Sequence, residues 1–192
     1  TLNGSYNAAS FQTTIAGPGS VSASNAANDF ATVVINGAQN VSLRDANALA
    51  LGNGNLNGNL LARVATTLTL GGAINAGGSG DAIVLSAGRF VNSAGSNALA
   101  TPAGRWLVWS STPNPFAGAT PDDRGGLAYD FKQYNATYGS STVLGNGNGF
   151  LYSLAPSITP SLTGEVAKVY DATTAAPVAS TNFTATGLVA GE

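Results

Sequence analysis

From residue 12 to about 110, apolar side chains recur at every second position within short runs, and Gly, Asn, Ser and Ala fill the spaces between. Val33 and Ile35, Val41 and Leu43, Leu49 and Leu51, Leu68 and Leu70, and Ile83 and Leu85 all stand two apart. A period of two puts alternate side chains on opposite faces of an extended backbone, so each run predicts a strand with one apolar face. The runs TTI, VSAS, ATVVI, VSLRD, ALALG, LLARV, TLTLGGAI, DAIVLSAG, RFVNS and RWLVWS follow this pattern. None keeps helical spacing long enough for a helix of ordinary length.

The strand starts are themselves periodic. Val21, Val41, Leu60, Ile83 and Trp106 follow one another at nearly even intervals, with room for two further short strands between successive members. An internal repeat of about 20 residues is the length of one coil of a β-solenoid. In that architecture each coil adds one rung to several parallel sheets, and equivalent side chains stack about 4.8 Å apart. The predicted fold is therefore all-β: a right-handed parallel β-helix over residues 1–110, its ladder running from about residue 12. The hand follows from the strong preference of parallel crossover connections.

The run GNGNLNGN at residues 52–59 fits the corners of such coils. Gly and Asn tolerate positive φ, and Asn or Thr at equivalent corners can hydrogen-bond along the axis. A flexible loop is the competing reading of the same residues.

RWLVWS breaks the one-faced pattern. Alternation puts Trp106 and Val108 on one face and Leu107 and Trp109 on the other, so both faces are apolar and the outer one needs a cover. Nine of the fifteen aromatic residues lie between Trp106 and Tyr152. A last coil exposes an apolar end and unpaired backbone groups, which solenoids must cap. Residues 111–156 are read as that capping and transition segment. Pro113, Pro115 and Pro121 are expected to stop the ladder, while GLAYDFKQYNATYG and GFLYSLAP bring aromatic surface over it.

Beyond APSITPSLTG, Pro156 and Pro160 read as a hinge and residues 157–192 as the start of a further β module. Val166, Lys168 and Tyr170 alternate as in a strand, and Asp171 to Thr174 read as a turn.

Composition narrows the chemistry. Charged residues make up 8% of the chain, against roughly 25% in an ordinary soluble domain. Seven scattered cations against nine carboxylates leave a net charge of −2, which fits neither a disordered chain nor a nucleic-acid binder. There is no Cys and no His, so disulfides, thiolate chemistry and the commonest general base are missing. No apolar run approaches the roughly 20 residues that span a bilayer, so membrane insertion is not expected. With Thr at its start, the chain is expected to be a mature product or an excised fragment.

The most chemical-looking stretch is TPDDRGG. Asp122 and Asp123 together could hold Ca²⁺ or serve glycoside hydrolysis. Adjacent residues of an extended segment point opposite ways, however, which favours a solvated turn locally neutralised by Arg124. Asp45, Asp81, Arg63 and Arg89 read as isolated charges along the coils, whereas lyases and glycosidases on this fold usually present charged clusters on one sheet face. In the aromatic segment Tyr134 and Tyr138, with Gln133 and Asn135 beside them, could stack on sugar rings. The competing reading buries those rings in the cap. Asp122, Asp123, Tyr134 and Tyr138 are thus weak ligand-contact candidates, and no catalytic, cofactor or metal residue is assigned.

Two segments carry a family resemblance. Lys168, Tyr170, Asp171, Ala172, Thr173 and Thr174 are similar to the opening of a YDG repeat, the glycine-rich β module of large bacterial surface proteins, which reads close to K-x-Y-D-G-T-T. Ala172 stands where that pattern has Gly, at a turn that calls for positive φ, and the module is expected to be incomplete. LTLGGAINAGGSGDAIVLSAGRFVNSAG, with RWLVWSSTPNPFAG and GLAYDFKQYNATYG, resembles the β-helical stalk of filamentous-haemagglutinin-like adhesins. Together the similarities cover residues from about 30 onward. The resemblance implies a secreted protein on a bacterial cell surface, exported by an outer-membrane two-partner transporter and mediating cell–cell or cell–matrix contact in a biofilm. Its implied partners are extracellular polysaccharide or neighbouring cells. Absence of Cys agrees with passage through a narrow barrel. The alternative is a carbohydrate-active β-helix enzyme, a polysaccharide lyase or glycosidase.

Overall fold

The computed structural model describes residues 4–189; the ends of the first and last predicted segments, residues 1–3 and 190–192, lie outside the described residues. The chain divides into two compact units, residues 1–154 and 155–192. The first is a parallel β-solenoid. Its coils are built from β1 (Asn7–Ala16), β2 (Val21–Ala23), β3 (Asp29–Ala38), β4 (Val41–Asp45), β5 (Leu49–Leu56), β6 (Leu60–Leu70), β7 (Ile74–Ala76), β8 (Gly80–Asn92), β9 (Leu99–Ala100) and β10 (Gly104–Ser110). Every pairing among these strands is parallel.

The predicted coil starts fall on one register line. Val21 pairs with Val41, Val41 with Leu60, Leu60 with Ile83 and Ile83 with Trp106. The period legible in the sequence is thus the translation along the axis. Each coil visits three faces: a first through β2, β4 and the starts of β6 and β8, a second through Leu49, Leu68 and Phe90, and a third through Gly54, Ile74 and Leu99.

Inside, equivalent positions stack. On the first face Ala23, Leu43, Ala62, Leu85 and Val108 form one inward file, all buried. Large and small residues alternate along most of it, which lets side chains one rung apart interdigitate. On the second face Leu51 and Leu70 stack in register with Asn92. The buried Asn92 amide is satisfied by donating to Gly95 O at 2.8 Å and Arg124 O at 3.0 Å, and it accepts from Ala94 N at 3.0 Å. A buried leucine is worth roughly 1.5–3 kcal/mol, so the files dominate stability.

The corners carry the expected amide and hydroxyl ladder. Asn59 N donates to Asn40 Oδ1 at 2.8 Å, Asn40 N donates to Ser20 Oγ at 3.3 Å, and Asn59 Nδ2 donates to Ser79 O at 3.4 Å. GNGNLNGN therefore serves two roles: Gly52 to Leu56 complete β5, and Asn57 to Asn59 make the corner.

The prolines after β10 do not end the ladder. Residues 111–121 form no strand, because proline has no N–H to donate, but pairing resumes at once. Asp123 N donates to Phe90 O at 2.9 Å and Asn92 N donates to Asp123 O at 2.8 Å, extending the second face by one bridge. The chain then forms β11 (Phe131–Gln133) at the far edge of the first face. It returns to lay β12 (Gly149–Tyr152) between β10 and β11, both pairings parallel. The first face thereby reaches seven rungs. The Phe131 ring fills the space that a Cβ at Gly145 or Gly149 would need, so both glycines are required by close approach.

RWLVWS is buried on both faces. Trp106 and Val108 join the interior, while Leu107 and Trp109 form an outer cluster with Ala136 and Leu151, flanked by Phe131, Tyr138 and Val143. The interior turns aromatic toward this end. Trp106 meets Phe150 edge-on with centroids 5.1 Å apart, and Phe150 stacks on Tyr152 at 6.2 Å. Tyr152 meets Phe116 at 4.9 Å.

The second unit is small. β13 (Thr159–Leu162) and β14 (Phe183–Thr186) form an antiparallel pair whose residues are all exposed or nearly so. The expected strand at Val166–Tyr170 is absent, and Pro160 sits inside β13 opposite Ala185 rather than in a hinge. Local bonding explains the difference at 166–170. Lys168 Nζ folds back to Asp171 Oδ1 at 2.6 Å, Thr173 O at 3.0 Å and Ala175 O at 2.9 Å, curling the segment around its own turn. Ala172 takes φ 58°, the left-handed conformation that glycine adopts more easily.

Two stability outcomes follow from this packing. Trp109→Ala should cost about 3–5 kcal/mol in chemical denaturation; a loss below about 1 kcal/mol would mean that the outer cluster contributes little. The Tyr152 hydroxyl is buried without a hydrogen-bond partner among the described residues. Tyr152→Phe should therefore leave stability unchanged or raise it by about 1 kcal/mol, since only an unsatisfied group is removed.

Candidate functional site

The sequence candidates are placed in three different settings. Asp122 is half-buried where the chain re-enters the ladder. Its Oδ1 accepts from Phe90 N at 2.8 Å and from Thr112 Oγ1 at 3.2 Å, while the neighbouring Pro121 O accepts from Arg89 Nε at 2.8 Å. Asp45 does the same work nearer the start of the solenoid: its Oδ2 accepts from Phe30 N at 2.6 Å and its Oδ1 from Asn47 N at 2.8 Å. In both cases a carboxylate from later in the chain satisfies the N–H of a buried phenylalanine. Burial pushes both carboxyls above the usual carboxylate range, against the hydrogen bonds that lower them.

Asp122 is therefore a backbone clasp and not part of a freely solvated turn. Asp123 is exposed and its carboxylate accepts only locally, from Gly125 N at 2.9 Å. Arg124 leaves both carboxylates and lies over the aromatic end, 5.4 Å from the Phe116 ring and 5.6 Å from that of Tyr129. Among the described residues no group of three or more Asp or Glu side chains converges as a cation site would require.

Tyr134 and Tyr138 belong to separate clusters. Tyr134 stacks on Tyr152 with centroids 5.7 Å apart and meets Phe116 at 6.1 Å, half-buried in the interior's aromatic end. Gln133 is occupied in holding the loop that follows, donating to Thr142 O and accepting from Leu144 N, both at 2.9 Å. Asn135 is exposed at φ 51°. Tyr138 instead lies on the outside of the first face, edge-on to Trp109 at 5.7 Å and beneath the Arg63 guanidinium at 5.3 Å.

That outer surface is the most developed candidate site. Register places Arg44, Arg63, Ser86 and Trp109 in one file along the axis, since Arg44 pairs with Arg63, Arg63 with Ser86 and Ser86 with Trp109. Two strips of open groove adjoin it. One of about 520 Å³ is lined by Ser22, Ser42, Asn40, Asn59, Asp81 and Tyr138 among others, and one of about 300 Å³ by Arg44, Asp45, Arg63 and Ser86 among others. A smaller depression of about 230 Å³ joins Arg63 to Trp109 and Tyr138.

The coil charges are accordingly less isolated than expected. Asp81 Oδ1 accepts from Arg105 Nε at 2.6 Å, and Arg105 Nη1 also donates to Gly145 O at 2.9 Å, tying down the capping loop. Arg63 lies one rung from Arg44. Arg44 is not among the sequence candidates, although its signal was present: it precedes Arg63 by the same interval that separates Val41 from Leu60. Any two residues one coil apart become neighbours on the same face.

Comparison with family models, curated proteins and solved structures finds no match for this chain. The site is thus described by its own geometry alone: a shallow, polar, partly cationic strip without converging carboxylates.

Asp122 gives this region a pH dependence of definite sign. Its carboxyl titrates higher in the folded chain than its ordinary value of 3.8, so the folded state binds the proton more tightly than the unfolded state. Stability contributed by this group should fall as pH rises from about 3.8 through the raised value. Asp122→Asn, which keeps an acceptor for Phe90 N, should flatten that dependence in urea titrations at several pH values. Asp122→Ala should cost about 1–3 kcal/mol by orphaning the N–H, and equal behaviour of the two variants would contradict the clasp.

Proposed function

We propose that this chain is a segment of a secreted bacterial surface adhesin, a rod that carries contact surfaces away from the cell and meets polysaccharide or neighbouring cells through many weak contacts. The observation that supports this best is the outer surface of the first face. Side chains repeat along it at coil spacing and form a long shallow strip instead of one deep pocket. A repeated array suits multivalent contact, in which weak sites add through effective concentration. Turnover needs a positioned acid and base at one point. Here the half-buried Asp122 is held by Phe90 N and Thr112, and Asp123 lies outside on Gly125.

The resemblance to filamentous-haemagglutinin-like proteins and to the YDG opening favours the same reading, with export through a two-partner outer-membrane transporter and residence at the bacterial surface. The Lys168–Asp171–Thr173 turn is consistent with a small module following the rod in sequence. Thr173 N and Oγ1 both donate to Asp171 Oδ1 at 2.9 Å, and these bonds, led by that from Lys168, hold the Asp171 carboxyl below its ordinary value.

The competing enzyme reading is tested directly. Incubation with neutral and anionic polysaccharides, followed by reducing-end and unsaturated-uronate assays, should show no product. Turnover that disappears in an Asp122→Asn, Asp123→Asn double variant of unchanged stability would replace the adhesin by a lyase or glycosidase.

A further inference from the structure

We infer that Arg44 and Arg63, with Tyr138 holding the second of them in place, form a binding site for a carboxylate-bearing polysaccharide on the outer surface of the first face. The inference deepens the adhesin reading and rests on it, naming the class of glycan and the residues that would take it.

The two arginines are in-register neighbours on β4 and β6, so their Cα atoms stand one rung, about 4.8 Å, apart and their side chains leave the same side of the sheet. Like charges directly opposite each other in a ladder are destabilising. Among the described residues no carboxylate offsets them: both arginines are exposed and neither makes an ion pair. The adjacent carboxylate, Asp45, is buried and turned inward onto Phe30 N and Asn47 N. In a chain with only seven Lys and Arg residues, a doubled and uncompensated cation at one rung spacing is a specific arrangement.

Tyr138 adds preorganisation. The Arg63 guanidinium lies over its ring at 5.3 Å, and the ring is itself fixed edge-on against Trp109 at 5.7 Å. A guanidinium stacked on an aromatic ring keeps its planar fork free for bidentate contact and loses less freedom on binding. The surroundings suit a sugar chain. Ser86 continues the arginine file, and Ser42, Asn40 and Asn59 line the neighbouring groove with hydroxyl and amide groups, while its carboxylate, Asp81, is paired with Arg105. The strip runs along the axis from rung to rung, which admits an extended polymer. Nucleic acid is disfavoured, because a duplex or single strand calls for many phosphate contacts and the chain is net negative.

The test uses the full chain and polygalacturonate as probe, by calorimetry at low and physiological salt, with a neutral glucan and inorganic polyphosphate as controls. Polygalacturonate should bind and the glucan should not. Arg44→Gln and Arg63→Gln should each weaken binding about tenfold without lowering the melting temperature, since each substitution relieves the like-charge contact. Tyr138→Ala should weaken it and Tyr138→Phe should not. Polyphosphate binding as tightly as polygalacturonate would overturn carboxylate recognition, as would variants that bind like the original chain. Adhesion of the original chain to bacterial cells separates the site from the reading it rests on. Adhesion retained in the Arg44→Gln, Arg63→Gln double variant overturns this site and spares the adhesin reading, whereas no adhesion by the original chain overturns the reading itself.

Discussion

The interaction on which everything else depends is the parallel backbone ladder between successive coils. Once rung pairs with rung at about 4.8 Å, the side chain at each position meets its equivalent one coil away, inside and outside alike. The interior then becomes a set of files, such as Ala23, Leu43, Ala62, Leu85 and Val108. The corners become chains of amides and hydroxyls, as from Ser20 through Asn40 to Asn59. The same rule makes neighbours of Arg44 and Arg63, so a surface site can arise from residues that are far apart in sequence but one period apart in space.

A ladder of this kind has an end, and the end must satisfy both apolar surface and unpaired backbone. The solution here is a detour. The chain leaves after Ser110, lays down β11 at the edge, and only then inserts β12 beside β10. Side chains replace the missing backbone partners: Asn148 Oδ1 accepts from Trp106 N at 2.9 Å, and Asp122 Oδ1 from Phe90 N at 2.8 Å. The aromatic residues close the remaining surface from both sides, with Phe150, Tyr152 and Phe116 inside and Phe131 and Tyr138 outside. Capping and the candidate binding strip are therefore linked, because the loop that covers Trp109 also delivers Tyr138 to Arg63.

The second unit obeys shorter-range rules. A two-stranded pair with its residues exposed derives little from burial, so local bonds shape it. Lys168 draws its own turn together, and the exposed Tyr170 takes no part in a core.

By itself the sequence determined the repeating part of this protein. Alternation within Val33–Ile35 or Leu68–Leu70, and the even spacing of coil starts, are properties of local backbone geometry and chain length, so the longer strands, their inward faces and the register line from Val21 to Trp106 could be read in advance, whereas the two-residue β9 could not. The two-faced burial of RWLVWS was equally legible, because period two assigns each side chain a face. Tertiary structure alone decided what depends on contacts without a period: the insertion of β12 between β10 and β11, the turning of Asp122 inward onto Phe90 N, and the separation of Tyr134 from Tyr138 into different clusters. It also decided that 166–170 is no strand, since an extended segment holds its shape only when a partner pairs with it, and Lys168 found closer bonds within its own turn.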